Sequence, residues 1–364
     1  MAGCTNRIER GMPVIATRPG TYERKRNLTT IDVHAHAIVP ESLRRMESRH
    51  PDFAPALFEE GGHKYLRYPG REPLGPMPDG MFDPGLRVAD MDRMGVDIQV
   101  IALPPPNFFY HVPAQAGVEF ARIQNDALAE LSDDHPDRFH MFATLPLQDV
   151  SASIEEIGRV ASLPRVRGAE IGSNVAGVDL DDRSFDPVWS ALEERGLPVW
   201  IHPDQRSIAA GERLNVYYLQ NLVGIPMEST IAIAKLIFGG VLDRFPSLRF
   251  GITHGGGFAP YQVGRWQHGW EVRQEPKVTH IGPGPREVFS SLYFDSLTHD
   301  PISLRMLGER VGWDHVVIGS DYPFDMASSD PVGAVEVAGL DPDALRQVVE
   351  TTATRFLRPV ESLS

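Results

Sequence analysis

Two histidines one residue apart, His34 and His36, close the run Ile31-Asp32-Val33-His34-Ala35-His36. In an extended strand, residues i and i+2 face the same side, so both imidazoles are expected to point into one space. Two imidazoles aimed at a common point suit a borderline divalent metal; a purely structural histidine pair is the competing reading. Other apolar runs also end on a ligand-type residue: Val199-Trp200-Ile201-His202-Pro203, Gly251-Ile252-Thr253-His254 and Ile318-Gly319-Ser320-Asp321-Tyr322-Pro323. A single histidine at a strand end is usually a hydrogen-bonded core or rim residue. His34 and His36 on the first strand, with His202, His254 and Asp321 at the same end of three others, read together as a metal site. Gly255, Gly256 and Gly257 follow His254 directly. Lacking side chains, they are expected to let substrate approach the backbone, or to start a helix flexibly.

The elements that must position these groups alternate along the chain. Strands are expected at Ile31–His36, Asp97–Leu103, Phe139–Leu145, Arg167–Gly172, Pro198–His202, Arg249–His254, Leu292–Ser296 and Val316–Ser320. Helices are expected at Gly85–Met94, Ala114–Leu131, Ile154–Leu163, Ser184–Arg195, Ser229–Leu242, Phe258–Trp270, Pro301–Gly312 and Pro342–Phe356. Strict alternation implies right-handed βαβ units and a parallel sheet, and this many repeats favours a closed (β/α)8 TIM barrel of class α/β. Barrel enzymes carry their chemistry at the C-terminal ends of the strands, where the candidate ligands fall. No G-x-G-x-x-G follows a strand, which weakens the dinucleotide-fold alternative. The stretch Pro40–Pro84 is too long and too rich in Pro and Gly for a simple loop; it predicts a small inserted subdomain after strand 1. Ser207–Pro226 predicts a second insertion. The expected organisation is an arm over 1–30, a barrel over 31–358 with its insertion at about 40–84, and a tail over 359–364.

Composition narrows the partners. The 364 residues include 35 Lys and Arg against 49 Asp and Glu, a formal net charge of −14. That balance excludes a general nucleic-acid binder, which needs a basic surface, yet allows a locally cationic site for an anion. The lone cysteine, Cys4, permits no intrachain disulfide and no cysteine-ligated cluster; with no apparent signal or membrane-spanning run, the cytoplasm is the expected compartment. The arm carries Arg7, Arg10, Arg18, Arg24, Lys25 and Arg26. It reads as a loosely ordered terminus or as an arm wrapping a partner subunit.

From Ile31 to about Phe356 the chain resembles the amidohydrolase superfamily, in particular the metal-dependent nonoxidative decarboxylases grouped with 2-amino-3-carboxymuconate-6-semialdehyde decarboxylase. The stretches that carry the likeness are Ile31–His36, Met91–Asp97, Pro146-Leu147-Gln148-Asp149, Val241–Pro246, His254–Gly257, Gly264-Arg265, Phe294-Asp295-Ser296 and Gly319–Phe324. The resemblance implies that His34, His36, His202 and Asp321 bind one divalent metal, most often zinc. A water completes the sphere and is acidified by the ion. It further implies that His254 is a general base or acid and that Asp321 both ligates the metal and steers the water. The substrate would be a small unsaturated or aromatic carboxylate met by arginines. Arg265 matches one that reaches across a dimer interface in relatives; Arg71 is the nearest candidate for the other, offset by a few residues. A homodimer or other oligomer is therefore expected, with a related subunit as an alternative partner.

The chain also departs from the pattern. Relatives carry Trp soon after the His-Pro of strand five, whereas Asp204 follows Pro203 here, with Tyr217, Tyr218 and Asn221 further on. Glu170 stands on strand four where one-metal decarboxylases tend to be uncharged. It would bridge two ions, one held by His34, His36 and Asp321 and the other by His202 and His254, or it would face outward to pair with Arg165 or Arg167. A bridging Glu170 admits a binuclear hydrolase or hydratase, and even an oxygen-activating Fe/Mn or Mn enzyme. A barrel that has lost catalysis and serves as a partner subunit is opposed by the intact ligand set. Asp295 is expected to orient His254, to sit near substrate or to make a structural hydrogen bond, and Asn107, Phe108, Phe109 and His111 to line the pocket.

Overall fold

The computed structural model describes residues 28–209, 211–277, 279 and 282–359. Most of the expected arm (1–27), the end of the expected tail (360–364) and His280 lie outside the described residues. Each of the apolar runs forms a strand: β1 Ile31–His36, β2 Ile98–Ala102, β3 Phe139–Thr144, β4 Val166–Ile171, β5 Val199–Ile201, β6 Phe250–Ile252, β7 Tyr293–Asp295 and β8 Val316–Val317. They pair in chain order in one 8-stranded sheet. The sheet closes on itself, because Val33 N–H donates to Ile318 O at 2.9 Å and His36 N–H to Tyr322 O at 2.7 Å. The result is the expected (β/α)8 barrel. β3 and β4 are buried along their whole length, the signature of strands covered on both faces.

Several strands stop short of the apolar runs that predict them. His202 lies just past β5, His254 two residues past β6 and Asp321 four residues past β8. The ends of these runs leave the ladder and turn over the barrel mouth, which frees their side chains to converge. Beneath them lies an aromatic layer. The Trp200 ring is 6.3 Å from that of His34 and 5.5 Å from that of Phe356. Phe356 belongs to the helix Thr352–Phe356 and also packs 5.0 Å from the Tyr293 ring. Rings of this size dominate the energetics of a core and hold the site from below.

The insertion after β1 is present. It holds a helix, Pro40–Arg49, and an antiparallel sheet of Ala56–Glu60, His63–Arg67 and Leu74–Met77. Its small core sets Leu43, Met46, Leu66, Met77 and Met81 against Phe109 and Phe120 of the barrel. The helix is not apparent in a stretch this rich in Pro and Gly; it forms because Pro40 occupies the first turn, where a missing N–H costs nothing.

In the second insertion a π turn, Gln220–Gly224, runs on into the helix Ile225–Phe238, so that helix starts earlier than the expected Ser229. Together they form a stretch of 19 residues, Gln220–Phe238, apolar enough by length and composition to cross a membrane. Ala232, Ile233, Leu236 and Ile237 are buried in the main core, which accounts for that apolarity.

Candidate metal centre

β1 delivers both of its histidines to the mouth. The rings of His34 and His36 are 5.2 Å apart, and His202 lies 5.1 Å from each. Asp321 Oδ1 faces them, 3.1 Å from His36 Nε2 and 3.4 Å from His34 Nε2. The ligand atoms of His34, His36, His202 and Asp321 all lie within 4.8 Å of one another. Asp321 has a left-handed backbone, φ 60°, pinned where its N–H donates to His34 O at 2.8 Å. Such strain is sustained only where surrounding contacts over-determine it.

The outer ring nitrogens are already committed. His34 Nδ1 meets Asp295 Oδ2 at 2.7 Å, His36 Nδ1 meets Leu103 O at 3.0 Å, and His202 Nδ1 meets Pro203 O at 2.8 Å. These oxygens accept, so each Nδ1 carries a hydrogen and each Nε2 turns inward. The three Nε2 atoms and Asp321 Oδ1 are buried without a hydrogen-bond partner. Stranding such groups costs about 1–3 kcal/mol each. A divalent cation removes the deficit at a single point, and three imidazoles with one carboxylate are a suitable donor set for it. The residues present therefore fit a divalent metal.

Electrostatics make the cluster ready for a cation. Burial depresses His36, and burial reinforced by neighbouring histidines holds His202 well below the usual imidazole range, so both stand neutral. Burial opposes charge on Asp321, but His34 outweighs it and keeps the carboxyl ionised. Burial also pulls His34 down, yet Asp321 and Asp295 outweigh that and lift it to about 10. At neutral pH the His34 Nε2 proton therefore competes with a metal, and raising the pH removes the competitor. Metal loading at pH 7 is expected to release about one proton per ion, with apparent affinity climbing about tenfold per pH unit below the His34 transition. Titration in weak buffer with an indicator dye checks this; uptake without proton release contradicts it.

His254 flanks the cluster. Its ring is 4.9 Å from that of His202, and its Nε2 is 3.6 Å from Asp321 Oδ2. Asp295 accepts from His254 N–H at 2.9 Å and Gly255 N–H at 2.7 Å while holding His34. One carboxylate thus orients a cluster histidine and the backbone of its neighbour. His254, Gly255, Gly256 and Gly257 all have positive φ. The room beside these glycines is filled by protein rather than left for substrate: a Cβ on Gly257 would overlap the Pro226 carbonyl.

Glu170 points inward. It is 1% exposed, both of its oxygens are unpartnered, and it senses the charges of His34 and Asp321. The outward reading fails, because Arg165 pairs with Asp133 and Arg167 donates to backbone carbonyls. Glu170 is nonetheless outside the four-residue cluster. Burial lifts its carboxyl well above the usual range.

The two arginines stand elsewhere. Arg265 is exposed on the helix Ala259–Val272. Arg71 is exposed in the turn after the inserted hairpin, near enough to influence Tyr68 and His111. Among the described residues neither guanidinium has an ion-pair partner. Of the expected pocket residues, Asn107 is buried and accepts from Tyr68 O–H at 2.6 Å, while His111 is exposed and takes a hydrogen bond from Arg206 at 3.2 Å.

Sequence reasoning passed over Asp32. Fully buried, it accepts from His34 N–H at 3.1 Å, Gln99 Nε2 at 2.9 Å and Ser320 N–H at 3.0 Å, lacing β1 to β2 and to the turn after β8. An acidic residue inside an otherwise apolar run was the available signal.

The family profile described as amidohydrolase matches residues 31–358. The chain belongs to the amidohydrolase family. This amidohydrolase is 33% identical over 336 residues to the 2-amino-3-carboxymuconate-6-semialdehyde decarboxylase of Dictyostelium discoideum, covering 90% of this chain and 89% of the relative. Among solved structures it resembles IDCase of Metarhizium anisopliae, with TM-score 0.80 and 24% identity over 91% of this chain and 97% of that one. It also resembles the 5-carboxyvanillate decarboxylase of Novosphingobium aromaticivorans, solved with manganese and 4-hydroxy-3-methoxy-5-nitrobenzoic acid. That match has TM-score 0.75 and 22% identity over 91% of this chain and 96% of that one. With this sequence kinship and this site, the chain is a metal-dependent lyase or hydrolase of the amidohydrolase family.

Proposed function

We propose that this chain removes carbon dioxide from a small unsaturated or aromatic carboxylic acid, with His34, His36, His202 and Asp321 holding one metal and His254 moving the proton. The observation that carries the reading is the convergence of four buried, unpartnered ligand atoms with one further histidine at their edge. When bound, the ion supplies positive charge that polarises the substrate's π system and acidifies water. His254 stands where its Nε2 reaches a group lying over the cluster, and Asp295 keeps its backbone in place. As the C–C bond to the carboxylate breaks, its electron pair stays on the ring or chain carbon. That carbon takes one proton, delivered by His254, and carbon dioxide departs.

Zinc is the proposed ion, since three imidazoles and a carboxylate suit it; manganese, present in the carboxyvanillate enzyme, is the competitor that elemental analysis separates. Arg265, exposed and unpartnered, supports a homodimer in which it reaches the partner's substrate; light scattering that returns only monomer removes this reading. Arg71, unpartnered near His111, is the proposed second contact for the substrate. The cytoplasmic assignment rests on the single cysteine.

The test is a panel of unsaturated and aromatic acids with carbon dioxide measured against acid consumed. Equal amounts are expected. Acid consumed without carbon dioxide turns the reading toward a hydrolase or hydratase on the same barrel.

Glu170 sustains one alternative. Two unpartnered buried oxygens suit a bridge between ions as well as a neutral carboxylic acid. We read it as the neutral acid. Glu170→Gln is then expected to keep one metal per chain and activity within about threefold, because the amide has the same shape and no charge to lose. Elemental analysis showing a fall from two ions to one would establish the binuclear site instead.

A further inference from the structure

The helix Pro84–Met94 follows the inserted sheet, and its Arg87 turns into the protein rather than to solvent. The residue is 1% exposed. Burial draws its pKa down to about 10, so it remains a cation at neutral pH. A buried cation costs several kcal/mol unless its donors are met. Among the described residues no carboxylate touches this one.

Its acceptors are the carbonyl of His36, the carbonyl of Gly80 at 2.9 Å and Gln99 Oε1 at 3.0 Å. The other end of the Gln99 amide donates to Asp32, so one neutral side chain links the buried guanidinium to the buried carboxyl. The guanidinium also lies 4.8 Å from the centre of the Tyr322 ring. Tyr322 directly follows Asp321, its carbonyl accepts from His36 N–H at 2.7 Å, and its hydroxyl donates to Asp90 Oδ2 at 2.6 Å. The approach is close enough that a Cβ on Gly80 would overlap the Tyr322 hydroxyl.

Apart from Gln99 on β2, the groups this cation meets belong to the two chain segments that carry His36 and Asp321, or to the insertion beside them. We propose that Arg87 is a positioning residue for the metal centre: it clamps the end of β1 and the turn after β8 so that His36 and Asp321 are preset to grip the ion, and it ties that grip to the inserted subdomain through Gly80. The planar fork is what the task requires, since it meets three oxygens in fixed directions and stacks on a ring. A lysine keeps the charge but not that geometry.

The proposal rests on the metal-site reading, and the test separates the two. Metal-loaded wild type, Arg87→Lys and a control, Leu66→Ala, are mixed with a chromophoric chelator and metal release is timed. Leu66 is fully buried in the core of the insertion and does not line the Arg87 cavity, so its truncation lowers stability without touching the clamp. Arg87→Lys is expected to release metal about 10–100-fold faster, the scale seen when a group supporting a ligand is lost. Leu66→Ala is expected to release it at the wild-type rate.

Arg87 also lines a cavity of about 140 Å³ shared with Ile38, Met81 and Pro84. Added ethylguanidinium is therefore expected to slow metal release from Arg87→Ala. Should that variant fail to fold, Arg87→Lys alone decides. Release from Arg87→Lys at the wild-type rate, or no faster than from Leu66→Ala, overturns the proposal. A wild type that binds no metal instead brings down the site reading, and the clamp with it.

Discussion

Asp321→Asn protein is expected to emerge from purification with its metal largely gone and its turnover lost with it. The substitution is isosteric, so the barrel and the hydrogen bond from residue 321 N–H to His34 O should survive. What disappears is the negative charge that two histidine Nε2 atoms face at 3.1 and 3.4 Å. Removing a group that merely orients a metal ligand weakens binding about 10–100-fold, so losing a ligand should exceed that range. His34→Ala should give the same phenotype with an added stability loss. It takes from buried Asp295 its 2.7 Å hydrogen bond to His34, leaving the carboxylate only backbone N–H donors. Losing one hydrogen bond to a charged group costs about 1.5–3 kcal/mol. Elemental analysis beside a thermal melt separates the effects. Either variant retaining full metal stoichiometry would contradict the ligand assignment.

His254→Ala is expected to behave in the opposite way, keeping its metal while kcat falls by about 10²–10⁴, the contribution of a positioned acid or base. The side chain lies beside the cluster rather than within it, and the Asp295 contact to residue 254 is made by its backbone N–H, which alanine retains. The orientation of His34 should therefore persist, and KM should change much less than kcat. Loss of one of two ions in this variant would mark His254 as a ligand and revive the bridged site with Glu170. Activity within a few-fold of wild type would remove His254 from the proton-transfer role.

The two predictions diverge because the histidines, alike in type, differ in how their rings are held. The Nδ1 atoms of His34, His36 and His202 are each tied down, whereas His254 Nδ1 is buried without a partner. A ring fixed at one nitrogen presents the other in a set direction, as ligation requires. Proton transfer is served by a ring near the cluster that is not locked into it.

The period-two spacing of His34 and His36, the apolar runs ending in His202, His254 and Asp321, and their alternation with helices sufficed to predict the barrel and its metal-binding mouth. Those signals are local: strand geometry dictates which side chains share a face, and barrel closure brings the strand ends together. The inward turn of Glu170, the double task of Asp295, the lacing by Asp32 and the clamp of Arg87 belong to the tertiary structure. Each depends on which backbone carbonyl or charged group lies opposite across tens or hundreds of residues. A buried polar group is defined by its partners, and no spacing along the chain specifies partners that only the closed barrel brings within hydrogen-bonding distance.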